Sequence, residues 1–272
     1  MKLKVAAIQL SAARGAREAN IQKAMMRIRD AAAQGARLCV LPELALDVFF
    51  PQWKDDAFFS SAEPADGPLV QAFQALAKEL AIGIALPFFE KSETGVYYNT
   101  VALLDSQGNV AGLYRKNHIP FTKSYEKYYF TPGSGFPVFD TEFGKVGICV
   151  CYDRRYPETC RELIKQGARI ILIPISSSVI DGFSEKPMWE CELRTRALEN
   201  QCCIVACNRT GTEADYQFFG WSLILGPGGN VIARADDTED LVLTGEIDTD
   251  EVDQLRYRSP LLRDRRPELY TT

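Results

Sequence analysis

The chain has 272 residues, 46% of them hydrophobic and 25% charged, with a formal net charge of -5. That composition supplies a large core and excludes a disordered chain, and the mild acidic balance, with Lys and Arg scattered rather than blocked, argues against a nucleic-acid partner. Eight cysteines with no CxxC spacing exclude a disulfide scaffold, and His118, the one histidine, gives little support to a zinc site.

In chain order, the N-terminus alternates like a strand over Lys4 to Leu10 and lacks a secretory h-region with a cleavage site. No apolar run reaches about 18 residues, so no membrane span is expected and the chain reads as soluble and cytoplasmic. Ala19 to Ala36 has helical periodicity closed by Gly35, and Arg37 to Leu41 is a buried strand that stops at Pro42-Glu43. A helix over Pro68 to Leu80 and a strand over Gly83 to Phe89 follow. Val96 to Leu104 and Val110 to Tyr114 then form a hairpin-like pair about the turn Asp105 to Asn109.

Next come Val146, Ile148 and Val150, β-branched at every second position, in a strand expected to end near Cys151. Arg154 to Pro157 form a turn, and Pro157-Glu158 opens a helix that runs to Gly167. A strand over Ile170 to Pro174, a long helix over Lys186 to Cys202 and a strand over Ile204 to Cys207 complete the alternation. The last third is antiparallel in flavour: Gly220 to Leu225, a turn at Gly226 to Gly229, Val231 to Ala235 and Leu241 to Ile247. Strands and helices in this order imply sheets covered by helices in layers. No linker interrupts residues 1–255, which read as one domain; residues 256–272, rich in Arg and Pro with little core pattern, read as a C-terminal arm at an oligomer interface.

Glu43, Lys116 and Cys151 each stand where a buried strand stops, and ends of neighbouring strands converge on one pocket. Singly, each has a plainer role: a helix cap, a solvated lysine, a small buried thiol. With one histidine in the chain, a catalytic Cys151 would take a carboxylate as its base.

Three segments carry a resemblance: Leu41-Pro42-Glu43, then Tyr114 to Pro120, then Cys151 to Glu158. In that order they resemble the signature blocks of the nitrilase superfamily of carbon-nitrogen hydrolases, and the likeness runs from Val5 through Asn208-Arg209 to Tyr270. The resemblance implies a single-domain, four-layer αββα sandwich and a homodimer or larger assembly. It also implies Glu43 as general base, Lys116 as electrophilic stabiliser, Cys151 as nucleophile and Glu126 as a second glutamate that orients Lys116 or the substrate.

Those residue types suit amide hydrolysis. An amide carbonyl is a poor electrophile, so the sulfur must attack as thiolate, and a cysteine of ordinary pKa about 8.5 needs a base at neutral pH. The Lys116 ammonium with the backbone N–H of Tyr152 would form an oxyanion hole, in which a single donor is typically worth about 3 kcal/mol. Ammonia or an amine then leaves, and water releases the acyl group; no metal or organic cofactor is required.

Arg154 and Arg155 have two readings: a bidentate clamp for a substrate carboxylate, or ion pairs that hold the turn. The run Asp153 to Glu158 resembles N-carbamoyl-D-amino acid amidohydrolases. Arg115 to Pro120 and Asp264 to Tyr270 look more like N-carbamoylputrescine amidases and β-ureidopropionases, and Cys151 to Arg155 also fits ω-amidase-like members. The expected substrate is an N-carbamoyl amino acid or amine, with a carboxylate-bearing amide as the alternative. Two other classes stay open: a thiol redox protein pairing Cys149 or Cys160 with Cys151, and a catalytically silent binding protein on the same scaffold.

Overall fold

The computed structural model describes residues 1–121, 124–180, 182–236 and 239–270. The first half of the chain lays down β1 (Lys2–Gln9), α1 (Arg17–Ala33), β2 (Leu38–Val40), α2 (Pro68–Leu80), β3 (Gly83–Glu93), β4 (Val96–Leu104), β5 (Val110–Arg115) and the single turn α3 (Glu126–Tyr129). The second half adds β6 (Val138–Thr141), β7 (Gly144–Ile148), α4 (Pro157–Lys165), β8 (Ile170–Ile175), β9 (Ser178–Ile180), β10 (Phe183–Ser184), α5 (Lys186–Asn200) and β11 (Cys203–Asn208). It closes with β12 (Thr210–Glu213), β13 (Tyr216–Phe219), β14 (Leu223–Leu225), β15 (Val231–Arg234), β16 (Leu241–Asp248) and α6 (Thr249–Arg258).

Two six-stranded sheets result, in the orders β16-β1-β2-β3-β4-β5 and β6-β7-β8-β11-β14-β15. Read in those directions, both follow the same succession of pairings: antiparallel, parallel, parallel, antiparallel, antiparallel. Alternate side chains of one strand serve two cores. In β1, Val5 and Ala7 meet Val146, Ile148 and Leu172 of the other sheet, while Ala6 and Ile8 pack under α1 and α2 with Ile28 and Phe73. Helices α4 and α5 cover the outer face of the second sheet through Leu163, Leu193 and Trp189. The layers are therefore helix, sheet, sheet, helix, and the strands are apolar on both faces because both faces are covered.

Most predicted elements stand within a few residues of their expected bounds, and three differences have local causes. The strand expected from Gly220 begins only at Leu223, because Gly220 (φ 64°) and Trp221 (φ 57°) are left-handed and turn the chain. A four-stranded sheet, β10-β9-β13-β12, was not expected; Thr210–Glu213 has no apolar alternation to announce it. The boundary drawn at 255/256 falls inside α6, whose N-cap Asp248 accepts the N–H of Asp250 and whose Val252 is buried. No helix among the described residues is long and apolar enough to cross a membrane.

Candidate active site

The carboxyl ends of β2, β5, β7, β8 and β11 share one edge of the sandwich, and the polar residues that follow them converge there. Glu43 lies three residues beyond β2, next to a left-handed Leu44 (φ 50°). Its carbonyl receives Ser176 Oγ at 3.0 Å and Arg209 Nη2 at 3.1 Å, which pins the backbone from the second sheet. Its Oε1 accepts Lys116 Nζ at 2.7 Å and Asn99 Nδ2 at 2.8 Å. Its Oε2 is buried with no partner among the described residues, and a buried carboxylate oxygen left open needs a chemical reason.

Lys116 directly follows β5 and is held by its backbone: its N–H donates to Asn99 O at 2.9 Å and its carbonyl accepts Gly133 N at 2.8 Å. Nζ bridges Glu43 and, at 2.6 Å, Glu126 Oε2, so one ammonium serves two carboxylates in a fully buried site. Burial works against the lysine's charge, but Glu126 and Glu43 outweigh it and hold its pKa above the ordinary value. Burial is also the largest effect on Glu126 and pushes its carboxyl up to about 7 against the pull of Lys116.

Cys151 opens a tight turn, Cys151–Arg155, with φ at 46°, a conformation a side chain adopts only when its surroundings force it. What forces it is Asp153. Its Oδ2 accepts Val150 N at 2.9 Å and Tyr114 OH at 2.6 Å, while Oδ1 takes His118 N at 2.9 Å and sits 2.7 Å from His118 Nδ1. His118 in turn stacks on Tyr156, 3.8 Å between centroids, so the lone histidine braces the turn. The first hydrogen bond of the turn runs from Asp153 N to Val150 O at 3.0 Å, and Tyr152 lines the pocket beside Cys151. Burial and then Glu43 push the Cys151 thiol up; Lys116 and Arg154 pull it the other way.

Cys151, Glu126, Tyr152 and Arg154 line a pocket of about 120 Å³. Phe49, Pro120, Ile180 and Tyr216 supply apolar wall, and Ser124, Ser176–Ser178 and Glu185 supply polar groups.

The paired arginines face Glu185 and Glu192. Arg154, 1% exposed, donates from Nη2 to Glu185 Oε2 at 2.6 Å and Ser177 Oγ at 3.0 Å, and from Nε to Glu192 Oε2 at 3.1 Å. Arg155 pairs with Glu185 Oε1 at 2.7 Å and Glu192 Oε1 at 3.5 Å and is not part of the pocket wall. A direct carboxylate clamp would require Glu185 to release both guanidinium groups. Trp189 is core: its ring lies under Arg154 and its Nε1 donates to Trp221 O at 2.8 Å. The Cys149 and Cys160 sulfurs touch at 3.9 Å in the core behind α4, and all eight cysteines are unpaired.

Sequence reading missed three supports. Asn99 is a polar residue inside the apolar run of β4, a signal that was available. Asp153 and Arg209 are charged residues at strand ends that become fully buried; Arg209 holds Leu44 O at 2.7 Å, Asp47 O at 2.9 Å and Glu213 Oε1 at 2.6 Å.

Residues 4–257 match the carbon-nitrogen hydrolase family. An N-carbamoylputrescine amidase of Arabidopsis thaliana is 38% identical over 92% of this chain and 88% of its own. A citrullinase of Francisella tularensis is 37% identical over 98% and 96%. The crystal structure of a carbon-nitrogen hydrolase from Helicobacter pylori superposes with a TM-score of 0.94 at 32% identity, covering 99% of this chain and 97% of that one.

Proposed function

This chain belongs to the carbon-nitrogen hydrolase family, and from that premise we propose that it hydrolyses the ureido group of a small linear N-carbamoyl compound, with Cys151 as nucleophile. The observation that carries this reading is the Glu43–Lys116–Glu126 bridge, 2.7 and 2.6 Å long, with Glu43 Oε2 buried and without a partner among the described residues, and with Glu126 lining the same pocket as Cys151.

Glu43 takes the thiol proton, and the sulfur attacks the carbonyl carbon. The negative charge that grows on the carbonyl oxygen meets Lys116 Nζ and the Tyr152 N–H. Glu43 returns the proton to the departing nitrogen, and ammonia or an amine leaves a carbamoyl thioester on Cys151. Water, deprotonated by Glu43, attacks that thioester; the sulfur leaves, and the carbamate breaks down to carbon dioxide and amine or ammonia. Glu126 holds Lys116 in place throughout. The route calls on no metal or organic cofactor.

Relatives named for N-carbamoylputrescine and for citrulline favour a ureido substrate over a simple amide. Glu185 stands in the pocket wall, and the two arginines are matched by two carboxylates. That balance favours a substrate whose far end carries an ammonium group, alone or as part of an amino acid, over one with a carboxylate alone. Hydrolysis of carboxylate-bearing ω-amides is the second reading, favoured only if Glu185 yields its arginines. Eight unpaired thiols suit a reducing cytoplasm. Tyr257 (87% exposed), Leu269 (66%) and Tyr270, on or beyond α6, suit a homo-oligomer contact.

Ammonia release by wild type and Cys151→Ala tests the activity on N-carbamoylputrescine, citrulline, N-carbamoyl-β-alanine, both hands of an N-carbamoyl amino acid, and a keto-acid ω-amide. Turnover of the ureido amines, lost in the variant, is the expected result. Turnover of the ω-amide alone would overturn the ureido assignment, and a fully active Cys151→Ala would overturn the nucleophile.

A further inference from the structure

The Arg154 guanidinium does more than pair with acids. Its Nη1 lies 2.8 Å from the Cys151 carbonyl oxygen and 3.7 Å from Cys151 Sγ, so one nitrogen grips both the backbone and the reacting atom of the same residue. The contact is imposed: Glu192 fixes Nε, Ser177 and Glu185 fix Nη2, and the Trp189 ring lies 5.3 Å from the guanidinium carbon. Such a group has no rotamer freedom to lose when the sulfur changes charge.

We propose that Arg154 is a catalytic residue for the thiolate: its guanidinium stabilises the negative sulfur formed when Glu43 takes the thiol proton. This rests on the reading of Cys151 as nucleophile. Charge arithmetic carries the argument. Among the described residues Lys116 is the other cation that acts on the sulfur, but its single charge is answered by two carboxylates, Glu43 and Glu126. Among the described residues the ion pairs around Arg154 balance, Arg154 and Arg155 against Glu185 and Glu192, and Arg154 Nη1 is the guanidinium nitrogen that reaches the sulfur. Proton transfer moves a negative charge from Glu43, where Lys116 and Asn99 hold it, to the sulfur, where Arg154 receives it. On attack the charge passes to the substrate oxygen at Lys116 and Tyr152, and it returns to sulfur when the acyl group leaves. Arg154 thus acts at the two moments when the sulfur is anionic, and atoms and charges balance without a further reactant.

The test is the rate of Cys151 alkylation by iodoacetamide against pH, followed at the Cys151 peptide by mass spectrometry so that the exposed Cys191 does not interfere. In Arg154→Gln the rate at pH 7 should fall about tenfold or more and its midpoint move to higher pH, with kcat/KM falling alike for ureido substrates with and without a carboxylate. Arg154→Lys should recover part of both. Glu192→Gln, which leaves Arg154 in place and removes one opposing charge, should move the midpoint to lower pH and covers the case in which Arg154→Gln fails to fold. An unchanged alkylation profile in these variants, with KM raised only for carboxylate-bearing substrates, would make Arg154 a substrate clamp and overturn the proposal. Wild-type protein that turns over while its Cys151 stays unlabelled and replaceable would instead overturn the nucleophile on which it rests.

Discussion

Lys116 Nζ stands 2.7 Å from Glu43 Oε1, and that bond engages one oxygen of Glu43 while Oε2 stays buried without a partner among the described residues. Glu43→Gln keeps an oxygen for Lys116 and loses the base. Turnover should fall about 10²–10⁴-fold, the usual range for a general base, with the far-UV spectrum unchanged. Ammonia release within a few-fold of wild type would remove Glu43 from its role.

Asn99 shares Glu43 Oε1 with Lys116 and carries Lys116's backbone N–H on its carbonyl. Asn99→Leu preserves size and removes the side-chain donor, a loss of about 1–3 kcal/mol at a buried carboxylate. The expectation is a drop in kcat of roughly tenfold or more with KM little changed, read from initial rates on one ureido substrate.

Glu126→Ala leaves Lys116 tied to Glu43 alone. The ammonium then has room to swing, so turnover should fall by at least about tenfold while the melting temperature shifts by only a few degrees. Unaltered kinetics would show that Glu43 and Asn99 suffice to aim the lysine.

Asp153→Asn weakens three bonds at once, from Val150 N, Tyr114 OH and His118 N. Because these hold Cys151 in its left-handed conformation, both stability and alkylation of Cys151 should suffer, by about 2–4 kcal/mol of stability in urea titrations. Tyr114→Phe removes one of the three and should cost about 1 kcal/mol.

Glu185 predicts an acid-sensitive latch. Burial alone would raise its pKa, but Arg154 and Arg155 outweigh it and hold the carboxyl at about 2, below the ordinary 4.5. The ionised pairing therefore adds stability that is complete above about pH 4.5 and is lost as pH falls toward 2, about 3 kcal/mol by linkage. Circular dichroism across pH 2 to 6 should show Glu185→Gln less stable at pH 6 and with a flatter decline below pH 4.5. An identical decline in both proteins would mean that the arginines do not hold this carboxylate.

The order of elements, the alternation behind the layered sandwich and the three strand-end residues were legible in the chain, because burial on both faces of a strand leaves an apolar run that stops where the strand stops. Glu43, Lys116 and Cys151 stand out as reactive residue types at such stops, and the family's motifs are local runs that need no fold to be read. What only the tertiary structure decided is which groups those residues meet. The same Asp153, Arg154 and Arg209 that look like surface charges become buried braces, because the partners that neutralise them, Tyr114, Glu185, Glu192 and Glu213, lie 39, 31, 38 and 4 residues away in sequence. Spacing along the chain cannot encode distances across two sheets. The clamp or brace question for Arg154 turned on Glu185 and Glu192, which a linear reading had no means of placing beside it.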